Sequence, residues 1–521
     1  MPHNSYPIQR ALISVSDKTG LDDLGRSLHA KGVEIISTGG TRKYLEEHQI
    51  PCTPIEEVTG NPEAFDGRMK TLSFEICSAL LFQRGKDDDE AKKLGISPID
   101  LVICNLYPFE NTARSNAEYD ALIENIDIGG VTLIRAAAKN HAHVCICTDP
   151  AQYSRLTENE KAETDIQTRK ELALQAFRHT ARYDAAISNR LEMTADNDAL
   201  YTPVLSAETA TTLRYGENPH QKAWVYQDPF HENGLAHRIP LQGKALSYNN
   251  LLDADAAWRC TYDLSQVFQD MHIVTIIKHL NPCGAAVSSS ALQALEDAWA
   301  GDPVSSFGGI LCFSTEVTEE VAAWLDDKFI EIILAPSFSK GALDIFAKKK
   351  NLRVLVSPEG EHNTPIMIRS ISGGWVVQEE DMGEDQSFDI KTDKTFPDEK
   401  NMTAEFGTLV TKHLRSNAIA LVQETETGFS LIGAGMGNPN RLVSISQAVS
   451  KARENGYQDL SEAVLISDAF FPFADNIELA EKDGIRFIVQ PGGSIKDDDV
   501  IAACNSNDIA MAFTGRRHFR H

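Results

Sequence analysis

Lys278 and His279 close a run of β-branched residues, 272–278, and stand just before the turn-forming Asn281-Pro282-Cys283-Gly284. A His takes a proton readily near neutrality, and a Lys beside it can stabilise a developing oxyanion or share protons, so the pair suits general acid–base chemistry at a strand end. A bare Lys-His pair is as readily a polar strand cap, so its surroundings must separate the two readings. Pro282-Cys283 raises a rival, because zinc deaminases set Pro-Cys-x-x-Cys beside a second His-x-Glu or Cys-x-Glu element. Here Gly284, Ala285, Ala286 and Val287 follow Cys283, without a second cysteine. Lacking a third N or S ligand, the segment is not expected to hold a catalytic zinc.

Near the N-terminus, the runs SVSDKTG (14–20) and STGGT (37–41) put hydroxyl and Gly residues where helices should begin. Backbone N–H groups and the helix dipole can hold a phosphate there; a plain turn capped by Thr41 explains the second run equally well. Three further clusters add charge: Asp66-Gly-Arg68-Met-Lys70-Thr71, Cys104-Asn105-Leu-Tyr107, and Asp127-Ile-Gly129-Gly130 with Arg135 and Lys139. An Arg/Lys pair suits an anionic ligand, and a Lys, a Tyr and an Asp together can carry protons to and from a carbonyl. Singly, Tyr107 reads as a half-buried core residue and Arg135 with Lys139 as a solvated i, i+4 face.

In the C-terminal half, LRYGENPHQ (213–221), GKALSYNN (243–250), DPVSSFGG (302–309), KHLRSNAI (412–419), GAG (433–435), SDAFFPFAD (467–475), QPGGS (490–494) and FTGRRHFRH (513–521) are dense in hydrogen-bonding groups and turn formers. The run 467–475 interleaves three Phe with two Asp, a platform for a flat ring with a polar edge. A core aromatic cluster is the plainer account of that run.

These residues need strands and helices to position them. Apolar runs at 11–15, 33–36, 99–103 and 144–147 alternate with helix-like stretches such as 21–30 and 132–139, predicting an α/β domain with a parallel sheet over residues 1–150. In such a sheet the residues just beyond the carboxyl ends of the strands face the ligand. Residues 151–205 read as a helical connector, with one amphipathic helix at 169–191 whose packed face would be Leu174, Phe177, Ala181 and Ala185. From 206 to 521 the alternation resumes, with strands at 272–278, 310–313, 431–434, 463–467 and 486–490 and helices at 291–300 and 444–454. The acidic stretch 379–400 reads as a solvated excursion or an inter-lobe loop. No short-period repeat stands out.

A chain of 521 residues exceeds what one core supports, and 42% hydrophobic with 24% charged residues is the composition of a globular enzyme. A net charge of −26 without a basic stripe argues against a nucleic-acid partner. Nine scattered cysteines with no C-x-x-C pair read as reduced thiols. No apolar run approaches the length that spans a bilayer, and the start carries no signal-like segment, so a cytoplasmic protein with no membrane partner is expected.

Together, SVSDKTG, GRMKTL, CNLYPFE and IDIGGVTLIRAAAKNH resemble, from Arg10 to about His141, the IMP cyclohydrolase domain of the AICAR transformylase/IMP cyclohydrolase family. The runs of residues 206–521, down to the Arg-His-Phe-Arg-His end, resemble that family's AICAR transformylase domain. The resemblance implies a methylglyoxal-synthase-like first domain and a second domain of two cytidine-deaminase-like α/β lobes without zinc. It further implies 10-formyltetrahydrofolate as co-substrate, no catalytic metal, and a homodimer whose active sites draw on both subunits. The activity implied is transfer of a formyl group to AICAR, then closure of formyl-AICAR to IMP with loss of water. The alternative is a transformylase with a non-catalytic N-terminal nucleotide-binding module.

Position by position, the resemblance makes Lys278 and His279 catalytic for transfer, and Lys70, Tyr107, Asp127 and Lys139 for ring closure. Ser16, Asp17, Lys18, Thr38, Gly39, Gly40, Thr41, Arg68, Thr71 and Asn105 would hold the nucleotide of the first domain. Arg214, Tyr215, Gly308, Glu331, Asn417 and Arg441 would contact AICAR, and Leu442, Phe470, Asp475, Ser494, Ile495 and Arg517 would line the folate side. The chain departs from the family at residues 73–82, where typical relatives carry His-Pro and a later His. It departs again at Glu331, where some relatives have Asp, and in GMGNPNR (435–441), where Met436 and Asn438 replace Ala and Gln. Gly433-Ala434-Gly435 offers that last run a competing register.

Overall fold

Five short strands form the parallel sheet of the first unit: β1 (Arg10–Ser14), β2 (Glu34–Ser37), β3 (Thr53–Pro54), β4 (Leu101–Cys104) and β5 (Cys145–Cys147), in the order β3-β2-β1-β4-β5. The computed structural model describes residues 5–65, 68–115, 117–158, 160–192, 204, 208–228, 233–360, 366–382 and 388–521. Asp66 and Gly67 of the charged loop, and most of the expected connector after Glu192, lie outside them. Two compact units emerge: Met1–Glu208 with Asp228–Phe230, and Thr209–Gln227 with His231–His521.

Helices cover both faces of the first sheet, which is why its strands read as continuous apolar runs instead of alternating ones. Leu12, Ile36, Val102 and Ile146 pack on one side, Ile13, Ile35, Ile103 and Cys147 on the other. The two-residue edge strand β3 is too short to show a pattern. The flanking helices include α1 (Leu21–Ala30), α2 (Gly39–Glu47), α3 (Gly129–Lys139) and α4 (Ile166–Glu192).

α4 corrects one expectation. Its packed face is Leu172, Ala173, Ala176, Thr180, Tyr183, Ala185 and Ala186; Ala185 is thus packed as expected, whereas Leu174, Phe177 and Ala181 point outward. Phe177 instead carries the Arg135 guanidinium 5.6 Å above its ring. Periodicity selected the bulkier stripe; close packing selected the alanines, which let α4 approach the Ala-rich face of α3.

The second unit is built on one eleven-stranded sheet. Its strands are β6 (His272–Lys278), β7 (Asn281–Ser288), β8 (Ile310–Phe313), β9 (Ile332–Ala335), β10 (Arg353–Val356), β11 (Asp389–Ile390), β12 (Ile419–Glu424), β13 (Gly428–Gly435), β14 (Val464–Ser467), β15 (Phe487–Gln490) and β16 (Ala510–Phe513). The order is β10-β9-β8-β6-β7-β13-β12-β14-β15-β16-β11. Two halves share one topology: an antiparallel hairpin (β6–β7 or β12–β13), a third strand antiparallel to the first, then two more parallel to the third. They join where β7 pairs antiparallel with β13, so the halves run in opposite senses. The repeat is one of topology, which residue identities do not display. α5 (Tyr248–Val267), α6 (Ala291–Gly301), α7 (Asn401–Lys412) and α8 (Arg441–Glu454) pack on its faces.

The stretch 379–400 is not simply solvated. Glu380 pairs with Arg259 at 2.7 Å, β11 adds to the sheet edge, and Phe396 and Lys400 are buried, with Lys400 Nζ donating to Glu462 O at 2.8 Å. Its charges find partners distant in sequence, which composition cannot reveal. Residues 383–387 lie outside the described part.

Candidate active sites

In the first unit the loops after β1, β2 and β4 converge, as a parallel sheet requires. The Ser16 and Asp17 N–H groups donate to Asn105 Oδ1 at 2.6 and 2.9 Å, and Asn105 Nδ2 donates back to Asp17 O at 2.9 Å. Asn105 is therefore the clasp between two strand ends. Thr38 and Ser14 hydroxyls lie 3.1 Å apart. Thr41 Oγ1 both accepts from Val15 N and donates to Val15 O at 3.0 Å, so this buried hydroxyl is a strut between loops. Gly39 and Gly40 open the first turn of α2 and are exposed, which leaves its N-terminal N–H groups the natural anion site. Lys18 Nζ reaches Ser16 O at 3.3 Å, and Asp17 is held below the usual carboxylate range by the Thr19 hydroxyl and N–H.

Lys70 Nζ lies 3.5 Å from Tyr107 Oη, and Tyr107 is exposed instead of half-buried in the core. Asp127 accepts the Gly130 N–H at 2.7 Å, and its own N–H donates to Tyr183 Oη at 2.8 Å. Burial pushes the Asp127 carboxyl up, while the Gly130 and Tyr107 N–H groups and Lys70 favour its ionised form. A carboxyl so balanced, beside an ammonium and a phenol, is suited to proton transfer. Gly130 is required here: a Cβ would fall 2.5 Å from Asp127 Oδ2. Thr71 is buried against Gly129, and Arg68 is exposed, 3.4 Å from Glu124. Lys139 does not join this cluster. It ends α3, about 15 Å of helix rise from Gly129. The divergent residues 73–82 form a helix, Phe74–Leu81, capped by the Ser73 hydroxyl.

In the second unit, strand register gathers the candidates on one edge of the sheet. Lys278 and His279 follow β6; Gly308 and Glu331 precede β8 and β9, whose first residues lie at that end. Asn417 precedes β12, Arg441 and Leu442 follow β13, and Phe470 with Asp475, Ser494 with Ile495, and Arg517 follow β14, β15 and β16. The carboxyl-end expectation thus holds for Lys278, His279 and the residues after β13 to β16 and fails for Gly308, Glu331 and Asn417, because antiparallel pairing and the opposed halves bring strand starts to the same edge. α5 begins at this edge, and the Tyr248 N–H there donates to Tyr215 O at 3.3 Å, with the exposed Arg214 guanidinium 5.3 Å from the Tyr215 ring centre.

Lys278 Nζ donates to Phe307 O at 2.5 Å. Gly308 next to it has φ 69°, and a Cβ there would meet the Phe329 ring at 3.0 Å and Lys278 Nζ at 3.4 Å. His279 is exposed on a left-handed turn, φ 52°, followed by Leu280 at 65°. The Leu280 N–H donates to Asp253 Oδ1 at 2.8 Å. Cys283 donates its thiol to Ile276 O at 3.4 Å. Glu331 pairs with buried Arg353 at 2.6 Å.

Arg441 is buried, with its guanidinium turned inward: Nη2 lies 2.8 Å from Asn417 Oδ1 and 2.8 Å from Asp468 Oδ1, and Nη1 donates to Phe470 O at 3.2 Å. Gly433 and Gly435 lie against the α8 backbone, where a Cβ would fall 2.2 Å from Ala448 O and 2.0 Å from Ser444 O; Asn440 caps α8 through the Leu442 N–H. Phe470 is half-buried; Asp475, Ile495 and Arg517 are exposed, with Arg517 4.6 Å from the Phe519 ring centre. Ser494 donates its N–H to Asp497 Oδ2 at 3.1 Å.

Sequence reasoning missed Asp253, Asn281 and Asp468 as supports. Nothing in a lone Asp within a helix signals a partner 27 residues away. A cavity of about 220 Å³ lies between α5, the end of α7, the ribbon Ile366–Ile371/Gly374–Glu379 and the C-terminal tail. Its charges are tied to one another: Asp263 meets Lys412 at 3.0 Å and His413 at 2.8 Å. Burial alone would raise the Asp263 carboxyl, but His413 and Lys412 hold it far below the usual range.

A family model described as AICARFT/IMPCHase bienzyme matches residues 137–451, and one described as MGS-like domain matches residues 20–132. The bifunctional purine biosynthesis protein PurH of Aquifex aeolicus (strain VF5) is 42% identical over 516 residues, covering 98% of this chain and 100% of its own. That of Bacillus cereus (strain AH187) is 44% identical over 522 residues with the same coverage. The solved structure "Crystal structure of ForH" aligns with 35% of this chain and 99% of its own at 29% identity, with a TM-score of 0.32.

Proposed function

The chain belongs to the AICARFT/IMPCHase bienzyme family, and from that premise we propose that its second unit transfers the formyl group of 10-formyltetrahydrofolate to AICAR while its MGS-like first unit closes formyl-AICAR to IMP. The observation that carries this reading is the convergence of the candidate residues on a single edge of the eleven-stranded sheet, from His279 at β6 to Arg517 at β16.

In transfer, the AICAR amine attacks the formyl carbon, a C–N bond forms, and the bond to N10 of the folate breaks. His279 takes the amine proton and returns one to N10; Lys278 stabilises the oxyanion between. Asn417, Arg441 and Glu331 line the nucleotide side; Phe470, Asp475, Ser494, Ile495 and Arg517 form the folate side. The exposed ring of Phe473 beside them supports this, as it leaves an apolar surface for a flat ring. In ring closure, the carboxamide nitrogen attacks the formyl carbonyl and water leaves, with Lys70, Tyr107 and Asp127 moving protons and the α2 N-terminus holding phosphate. No metal enters either step.

The cyclohydrolase domain is assigned to residues 1–150, the transformylase domain to 206–521, with 151–205 between them. The protein is read as a cytoplasmic homodimer; nine unpaired cysteines fit a reducing compartment. Lys139 stands about 15 Å of helix rise beyond Gly129, so a role in ring closure has it act on the substrate away from Asp127 or from a second copy. Purified chain given AICAR and 10-formyltetrahydrofolate should yield IMP, and absence of both formyl-AICAR and IMP would refute the reading. Supplying formyl-AICAR alone separates an active first unit, which makes IMP, from a merely nucleotide-binding one. His279→Ala should abolish transfer and spare ring closure.

A further inference from the structure

We propose that Asp253 is a positioning residue for His279: it fixes the turn that presents the imidazole and sets a negative charge beside the imidazolium formed when His279 takes the amine proton. This rests on the transformylase reading above.

The turn itself calls for such a support. His279 and Leu280 both lie in the left-handed region, at φ 52° and 65°, a conformation that bulky residues hold only when their surroundings impose it. Two hydrogen bonds impose it. Asp253 Oδ1 accepts the Leu280 N–H at 2.8 Å, and Asn281 Nδ2 donates to His279 O at 2.9 Å. Asp253 sits in the second turn of α5, whose start is fixed by reciprocal capping between Ser247 and Asn250, and it is only 9% exposed. A carboxylate on a packed helix is a firmer anchor than one on a loop.

The placement of charge is equally specific. Of the elements packed on α5, β6 faces Asp253 with Lys278 and His279, both of which favour the ionised carboxylate, as does the Leu280 N–H. β8 and β9 are apolar apart from Cys312, and the turn Leu235–His237 carries His237. α7 offers Lys412, which with the adjoining His413 is held by Asp263, about 15 Å further along α5. Burial is the larger influence and raises the Asp253 carboxyl above its usual range, while the Leu280 N–H, His279 and Lys278 favour its ionised form. Asp253 touches no reacting atom. It acts through His279.

Asp253→Asn keeps an acceptor for Leu280 and removes the charge. In the full-length protein it should lower kcat for formyl transfer about tenfold with KM for AICAR within about twofold. The acid limb of its pH profile should move to lower pH, because the protonated imidazole loses its counter-charge. Asp253→Glu keeps the charge but displaces the anchor: kcat should fall with the acid limb unmoved, which makes it the informative variant if the Asn protein does not fold. An Asn variant with wild-type kcat and profile, or a Glu variant with a shifted acid limb, overturns the proposal. Absence of formyl transfer by the wild-type chain refutes the transformylase reading instead, so the two failures are distinct.

Discussion

Asn281 Oδ1 accepts the Arg415 backbone N–H at 3.0 Å while its Nδ2 donates to His279 O at 2.9 Å. One amide thus joins the turn that carries the base to the loop that carries Asn417, across the junction of the two half-sheets. Asn281→Ala breaks both bonds. Small misplacements of a base cost up to about 100-fold, so kcat/KM for formyl transfer should drop by about 10- to 100-fold while ring closure of supplied formyl-AICAR is unaffected. Steady-state kinetics on both reactions decide this, and an unchanged transfer rate contradicts the coupling.

Arg441 has an internal duty whether or not it also meets substrate. Its removal strands Asp468, whose side chain is fully buried, and breaking such a pair costs about 3–5 kcal/mol. Arg441→Met should therefore destabilise the second unit by about that much in denaturant unfolding, and adding Asp468→Leu should recover most of it without restoring AICAR binding. If the double variant is no more stable than the single one, Asp468 is not the source of the loss.

Lys139 offers a test of shared sites. Lys139→Ala and Asp127→Asn proteins, each poor in ring closure, should regain activity when unfolded and refolded as a mixture, up to about a quarter of wild type if dimers form at random and each site needs one residue from each chain. Mixing that regains nothing leaves Lys139 outside the reaction or within its own chain's site.

His179 on α4 makes the first unit acid-sensitive. Burial lowers its imidazole from 6.5 to about 4, and Nε2 has no hydrogen-bond partner. Because the folded state disfavours the proton that the unfolded chain binds, the stability is complete above pH 6.5 and declines as pH falls toward 4, by up to about 3 kcal/mol. His179→Gln should flatten the dependence of the first unit's melting temperature over that interval. A slope equal to the wild type's assigns the acid sensitivity to other groups.

Much of this was legible before any coordinates. The parallel sheet of the first unit follows from runs of β-branched residues buried on both faces. The strand that ends on Lys278-His279 follows likewise from the isoleucine-rich run before it. Short motifs carry the loops, because Gly, Asn, Asp and Ser are demanded by turn and cap geometry that only a few residue types satisfy.

The tertiary structure decided what depends on distance through space. Periodicity misplaced the packed face of α4, since alanines carry little hydrophobic contrast but permit close approach. Composition read residues 379–400 as solvated, although Glu380 and Lys400 find partners far away in the chain. That Arg441 turns inward to Asp468, that Asp253 underlies Leu280, and that Lys139 stands apart from Asp127 are facts of register and helix length. Residue type and order determined the elements and their chemistry; the antiparallel junction of β7 with β13 determined which strand ends meet, because it reverses one half of the sheet against the other.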